Sequence, residues 1–249
     1  MKNLIYIVFM IVLLSCNGEN VPDCFQNSGA IVQQEFDMDA FDKITVYERI
    51  ELIVKDGPTQ KVVVETGEYL LNDIEVKVEN GELILENRNA CNLTRAYGIT
   101  KVFVSSPNLT QIRNSSGLTV SSDGVLNYSS LKLVSEDFNA TYVTHTDGDF
   151  NLQVNCNRLD IVVNNLSSVF ISGSVNNLFI GFYSGDARFE GANLVAQNIN
   201  IFQRSSNDMI VNPQQSLTGE IRGTGDVISL NRPPIVDVVE FYTGKLIFE

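Results

Sequence analysis

The single histidine of the chain meets two carboxylates in His145-Thr146-Asp147-Gly148-Asp149, where general acid–base chemistry would have its ingredients. Such chemistry needs those groups to converge on one substrate with shifted proton affinities. Asp147-Gly148-Asp149 also has the composition of a polar turn ahead of the alternating run Phe150-Asn151-Leu152-Gln153-Val154, and that is the favoured reading. No Gly-x-Ser-x-Gly elbow is present to activate a serine, so no catalytic residue is assigned.

Arginines form the second set. Arg188, Arg204 and Arg222 recur about one coil apart, and in a stacked coil residues one period apart lie above one another. Three guanidinium groups in such a ladder could pair with carboxylates of a polysaccharide or a partner protein. Asp186, Glu190, Asp208 and Glu220 stand close enough in sequence to neutralise them as ordinary surface pairs. Tyr69, Tyr97, Tyr128, Tyr142 and Tyr183 could contact sugars or proteins, but scattered aromatics more often pack at a rim.

Four cysteines complete the reactive inventory. Lys2, the apolar run Leu4 to Leu14 and Ser15 before Cys16 have the order of an export signal, and the run is too short to cross a bilayer. Leu13-Leu14-Ser15-Cys16 resembles the lipobox of bacterial lipoproteins, which implies a lipid-modified Cys16 as the first residue of the exported protein. Export permits a disulfide. Cys24 follows the anchor, Cys91 lies in the loop Asn87 to Asn92 and Cys156 sits mid-strand, so Cys24 and Cys91 are the expected pair. With no Cys-x-x-Cys spacing and one histidine, no metal site and no cofactor are expected. A net charge of −13 argues against nucleic acid, which needs clustered Lys and Arg.

The elements that must position these residues are strands. Ile44-Thr45-Val46-Tyr47, Glu51-Leu52-Ile53-Val54, Lys61 to Glu65 and Ile74 to Val78 alternate at period two, the mark of strands buried on one face. Asn80-Gly81 before Glu82-Leu83-Ile84-Leu85 predicts a tight hairpin, and only Glu68 to Asp73 could make a helical turn. From Leu159 to Ser229 short apolar strands close repeatedly on small-residue corners at about 18 to 21 residues, the period of one solenoid coil. Thr141-Tyr142-Val143 is expected to be one more strand. The resulting expectation is an all-β, right-handed single-stranded parallel β-helix with an alternating-strand N-terminal portion. Its organisation is a signal peptide at 1–15, an anchor and tether at 16–30, and one β-helix domain at 31–249. Residues 31–110 would supply N-terminal strands and a cap, and residues 111–249 the coils.

The corners Ser184-Gly185-Asp186, Arg222-Gly223-Thr224-Gly225-Asp226-Val227 and Thr243-Gly244-Lys245-Leu246, with Pro233-Pro234, carry a family resemblance. With Phe41-Asp42-Lys43-Ile44, Asn80-Gly81-Glu82-Leu83 and Pro107-Asn108-Leu109, the chain from about residue 36 to 249 resembles the auto-transporter adhesin head, or GIN, domain family of exported lipoproteins. The resemblance implies a right-handed parallel β-helix without assigned catalytic residues. It departs from the family's Ser-Gly-x-Gly corners at Asn164-Asn165-Leu166 and Glu136-Asp137-Phe138. The expected function is a non-enzymatic adhesin or ligand-binding module, tethered by lipid to the outer membrane of the cell envelope and contacting a surface glycan or envelope protein. A carbohydrate-active enzyme on an acidic polysaccharide and a structural envelope scaffold are the alternatives.

Overall fold

The computed structural model describes residues 23–89, 91–93, 95–138 and 145–249. The expected signal segment, Cys16, most of the tether and the expected strand Thr141-Tyr142-Val143 lie outside the described residues. The described chain is all-β: nineteen strands in one hydrogen-bonded network, with single 3-10 turns at Asp23–Phe25 and Leu71–Asp73. No described helix is long and apolar enough to cross a membrane.

The regular part begins with β10 (Ser130–Ser135), β11 (Phe150–Val163) and β12 (Val169–Phe182) and continues through β13 (Phe189–Glu190), β14 (Leu194–Gln203), β15 (Met209–Val211), β16 (Pro213–Ile221), β17 (Val227–Ser229), β18 (Ile235–Glu240) and β19 (Leu246–Phe248). Period-two alternation sets the faces of β11: Phe150, Leu152, Val154 and Cys156 point in, while Asn151, Gln153 and Asn155 point out. Neighbouring strands pair in parallel. Leu159 lies beside Leu178, Leu178 beside Ile199, Ile199 beside Leu217 and Leu217 beside Val236, so the step from strand to strand is nearly constant. That constancy drops each apolar side chain onto the apolar side chain of the next repeat, and Ile161, Ile180 and Ile201 form a second inward column. Each such burial stabilises the fold by about 1.5–3 kcal/mol.

Polar side chains hold the corners by taking over backbone hydrogen bonds that the bend leaves unmade. Buried Asn114 donates to the carbonyls of Leu118 (2.8 Å) and Asp149 (3.1 Å), and its Oδ1 accepts from the amide of Ser116 (3.1 Å). Buried Gln203 repeats the device, donating to the Asn207 carbonyl at 2.7 Å and accepting from the Ser205 amide at 3.2 Å. Gly219 lies inside β16 at φ +126°, where a Cβ would sit 2.0 Å from the Ile201 carbonyl oxygen, so only glycine lets these strands close up.

The earlier strands form an interleaved arrangement. They are β1 (Ile31–Phe36), β2 (Lys43–Tyr47), β3 (Glu51–Asp56), β4 (Lys61–Gly67), β5 (Ile74–Glu79), β6 (Glu82–Asn87), β7 (Lys101–Ser106), β8 (Gln111–Ser115) and β9 (Val120–Leu126). β2 lies parallel between β6 and β8, with Ile44 beside both Leu83 and Ile112. β3 likewise lies between β7 and β9, with Leu52 beside Val102 and Val120. The strands before residue 110 therefore do more than close an end, because β2 and β3 sit within the stack. Closure comes from antiparallel partners: β5 on β6 through the Asn80-Gly81 turn (φ +53° and +77°), and β4 on β7 with β1 outside it. A disulfide joins Cys24 to Cys91 across 67 residues and ties the start of the described chain to this end. At the opposite end, among the described residues, β18 pairs only with β16 and β19 only with β17.

Candidate functional site

The parallel register lines up outward side chains into columns on the wall formed by β10, the second halves of β11 and β12, β14, β16 and β18. Four columns lie side by side. The first runs Arg158, Asn177, Asn198, Ser216; the second runs Asp160, Phe179, Asn200, Thr218. The third runs Val162, Gly181, Phe202, Glu220. Just past the strand ends stand Tyr183, Arg204, Arg222 and Phe241, whose amides donate to the carbonyls of Val163, Phe182, Gln203 and Ile221 on the preceding repeat.

Aromatic rings and guanidinium groups meet at the third and fourth columns. Tyr183 stacks on Phe202 with centroids 4.9 Å apart, and Phe138, 57% exposed, meets Tyr183 edge-on at 5.7 Å. The Arg222 guanidinium lies 3.9 Å from the centroid of the Phe241 ring, itself 53% exposed, and 6.0 Å from that of Phe202. Gly181 makes the floor: a Cβ there would come within 2.8 Å of the Tyr183 ring and 3.0 Å of the Phe179 ring, so the absent side chain is what lets both rings lie down on the sheet. Cation–π contacts at such exposed sites contribute about 0.5–1 kcal/mol each.

The three arginines do not form a single ladder. Arg204 and Arg222 are neighbours in the fourth column, but Arg188 precedes β13, whose register with β15 sets it beside Asp208 instead. There it bonds Glu190 at 2.5 Å and the Asn207 amide oxygen at 3.1 Å, with Asp208 at 3.9 Å. Equivalent wall positions recur at 18 to 21 residues, as Tyr183, Arg204 and Arg222 do, whereas Arg188 precedes Arg204 by only 16 and so falls on the neighbouring row of strands. Arg222 pairs with Glu220. Arg204 is exposed and has no side-chain partner among the described residues.

His145 stands apart from that wall. Its Nε2 lies 3.2 Å from Glu48 and its Nδ1 3.8 Å from Asp147, while Glu48 also binds Arg49 at 2.7 Å. Asp149 turns away, and its carboxylate accepts from the Ser168 amide at 2.8 Å, a corner role. Cys156 is buried and unpaired, and burial pushes its thiol up to about 11. Burial likewise pushes the Tyr128 hydroxyl up, with Asp56 adding to the effect. Among the described residues no group of three or more His, Cys, Asp or Glu is placed to hold a metal ion.

The sequence reading singled out Arg204, Arg222 and Tyr183 but missed Phe138, Phe179, Phe202 and Phe241. The available signal was positional: aligning Asn164-Asn165, Tyr183-Ser184, Arg204-Ser205 and Arg222-Gly223 as equivalent corners puts Tyr183, Arg204 and Arg222 in one column, and Phe202 one strand position inside it.

Three solved structures resemble this fold. A putative adhesin from Bacteroides fragilis superposes with a TM-score of 0.78 at 17% identity, covering 88% of this chain and 97% of that one. A putative lipid binding protein from Parabacteroides distasonis gives 0.63 at 14% identity over 89% and 97%. A putative adhesin from Parabacteroides merdae gives 0.57 at 15% identity over 94% and 98%. No curated protein matches the sequence. Residues 40–233 match the family described as "Putative auto-transporter adhesin, head GIN domain", and the chain therefore belongs to that family.

Proposed function

We propose that the chain is a lipid-anchored, non-catalytic module of the cell envelope, built as a right-handed parallel β-helix, which binds a carboxylate-bearing surface glycan on the wall just described. The observation that carries this reading is the column in which Tyr183, Arg204, Arg222 and Phe241 stand in adjacent repeats with Phe202 stacked beside them. Aromatic faces cover the apolar face of a sugar ring, and a planar guanidinium offers two parallel donors to a carboxylate. Arg204 brings a cation without a counter-ion among the described residues, and Arg222 already rests over a ring, so its guanidinium needs little further ordering for a ligand. The near-constant step between parallel neighbours supports the β-helix, and Leu13-Leu14-Ser15-Cys16 supports the anchor.

The test is a glycan-array and calorimetric screen with the full chain purified in detergent. Oligouronates are expected to bind, with Arg204→Ala and Arg222→Ala each weakening binding about tenfold, the scale of one charge-assisted hydrogen-bond pair. Binding that ignores both substitutions would overturn the site. Shortening of an oligouronate during the incubation would instead support the carbohydrate-active alternative. Metabolic labelling with a fatty acid, abolished in Cys16→Ala, tests the anchor.

A further inference from the structure

Beside the aromatic–arginine column, the first two columns of the same wall enclose a groove of about 200 Å³. Its charge is internally balanced, since Arg158 Nε binds Asp160 Oδ2 at 2.8 Å. Its rim is a ladder of amides and hydroxyls. Asn198 reaches Asn177 Oδ1 at 3.4 Å, Ser216 donates to Asn198 Oδ1 at 2.9 Å, and Asn200 donates to Thr218 Oγ1 at 3.0 Å. The half-buried Phe179 ring supplies the apolar side, leaning on Gly181.

The ladder leaves hydrogen-bonding capacity unused. Asn200 uses its amide donor, while no described residue donates to its Oδ1. The Asn177 amide makes only a long contact, 3.5 Å, to the Asn157 carbonyl. An unused acceptor on Asn200, an underused donor on Asn177 and one apolar ring around a groove without net charge define the chemistry of a fitting occupant. It must carry several hydroxyl groups and one apolar face, and no charge.

We propose that this groove is a subsite for a neutral pyranose ring, its apolar face on Phe179, its hydroxyls donating to Asn200 Oδ1 and accepting from the Asn177 amide. The assignment rests on the glycan-binding reading of the wall and adds to it. The ligand is a mixed polymer whose uncharged residue occupies the groove, while a carboxylated residue reaches Arg204 and Arg222 alongside.

Titration calorimetry of the full chain with neutral gluco-, galacto- and manno-oligosaccharides, and in parallel with oligouronates, tests this. The expected result is neutral-sugar binding that Phe179→Ala and Asn200→Ala each weaken about tenfold, the scale of one desolvated ring contact or bond. Arg88→Ala, beside Glu75 at the antiparallel end, should leave neutral-sugar binding unchanged. The side-chain amide resonances of Asn198 and Asn200 should shift on saturation, a readout independent of whether any variant folds poorly. Binding of oligouronates without any neutral sugar, or neutral-sugar binding indifferent to Phe179→Ala and Asn200→Ala, would overturn the subsite and leave the charged site standing. Failure of every saccharide to bind would overturn both.

Discussion

The two ends of the stack are built by different rules from the same kind of strand. From β11 onward each strand lies beside the one a single repeat away, at a nearly constant step, and the last strands, β18 and β19, have one partner each among the described residues. Before β10 the chain threads β2 and β3 between strands that come much later in sequence, and closes with antiparallel partners and a disulfide. The difference teaches where a stack of strands can carry function. A regular stack puts like positions in columns, so it can build a wall of aligned side chains. An interleaved end cannot be read as columns of one period, but it locks the edge that would otherwise template further strand pairing.

The largest effect expected to break the contrast lies in the regular repeats. Phe182 is fully buried, and Phe182→Ala should cost about 3–5 kcal/mol in denaturant unfolding, because neighbouring strands cannot collapse into the void without losing register. A loss under about 1 kcal/mol would mean that the repeats slip freely. Removing the disulfide as Cys24→Ser with Cys91→Ser should cost about 4 kcal/mol in the chain-entropy view of a 67-residue loop. Hydrogen exchange should then accelerate in β1, β4 and β5 while β14 and β16 keep their protection, and uniform acceleration would merge the two regions into one cooperative unit.

A smaller effect should appear in alkali. The Cys156 thiol is raised from 9.0 to about 11, so the unfolded chain releases this proton first as pH rises. Its contribution to stability is therefore whole below about pH 9 and declines as pH climbs toward 11. The loss is up to about 3 kcal/mol at about 1.36 kcal/mol per unit. Cys156→Ala should flatten that decline, and an unchanged alkaline slope would place the sensitivity elsewhere. Smallest of all, Arg204→Ala should shift stability by no more than about 0.5 kcal/mol, since the side chain is exposed and makes no described ion pair. A larger loss would mean that Arg204 holds the corner and is not free for a ligand.

Much of the regular region was legible from the residues. The corners at Asn164-Asn165, Ser184-Gly185, Ser205-Ser206 and Gly223-Thr224-Gly225 predicted a period that the register reproduces, and Asn80-Gly81 predicted its hairpin. The candidate site was half legible. Arg204 and Arg222 do share a column, but Arg188 was added by spacing alone, and the phenylalanines beside them carried no signal that ranked them. Spacing along the chain measures arc length around a repeat, whereas a site needs equal position on one wall, and the 16 residues from Arg188 to Arg204 stop short of a full repeat.

Alternation and corner composition by themselves determined that this chain is a stack of short strands with apolar interiors, because each residue's inward or outward sense follows from a local period of two. Which strands become neighbours was decided only in three dimensions. The hydrophobic pattern of Ile44-Thr45-Val46 suits Leu83-Ile84-Leu85, Ile112-Arg113 or any other alternating strand equally well. The choice falls to the arrangement that pairs the interior backbone edges and fills the core at once. The same arrangement brings Phe202 under Tyr183 and Arg222 over Phe241, contacts between residues a whole repeat apart that no local pattern encodes.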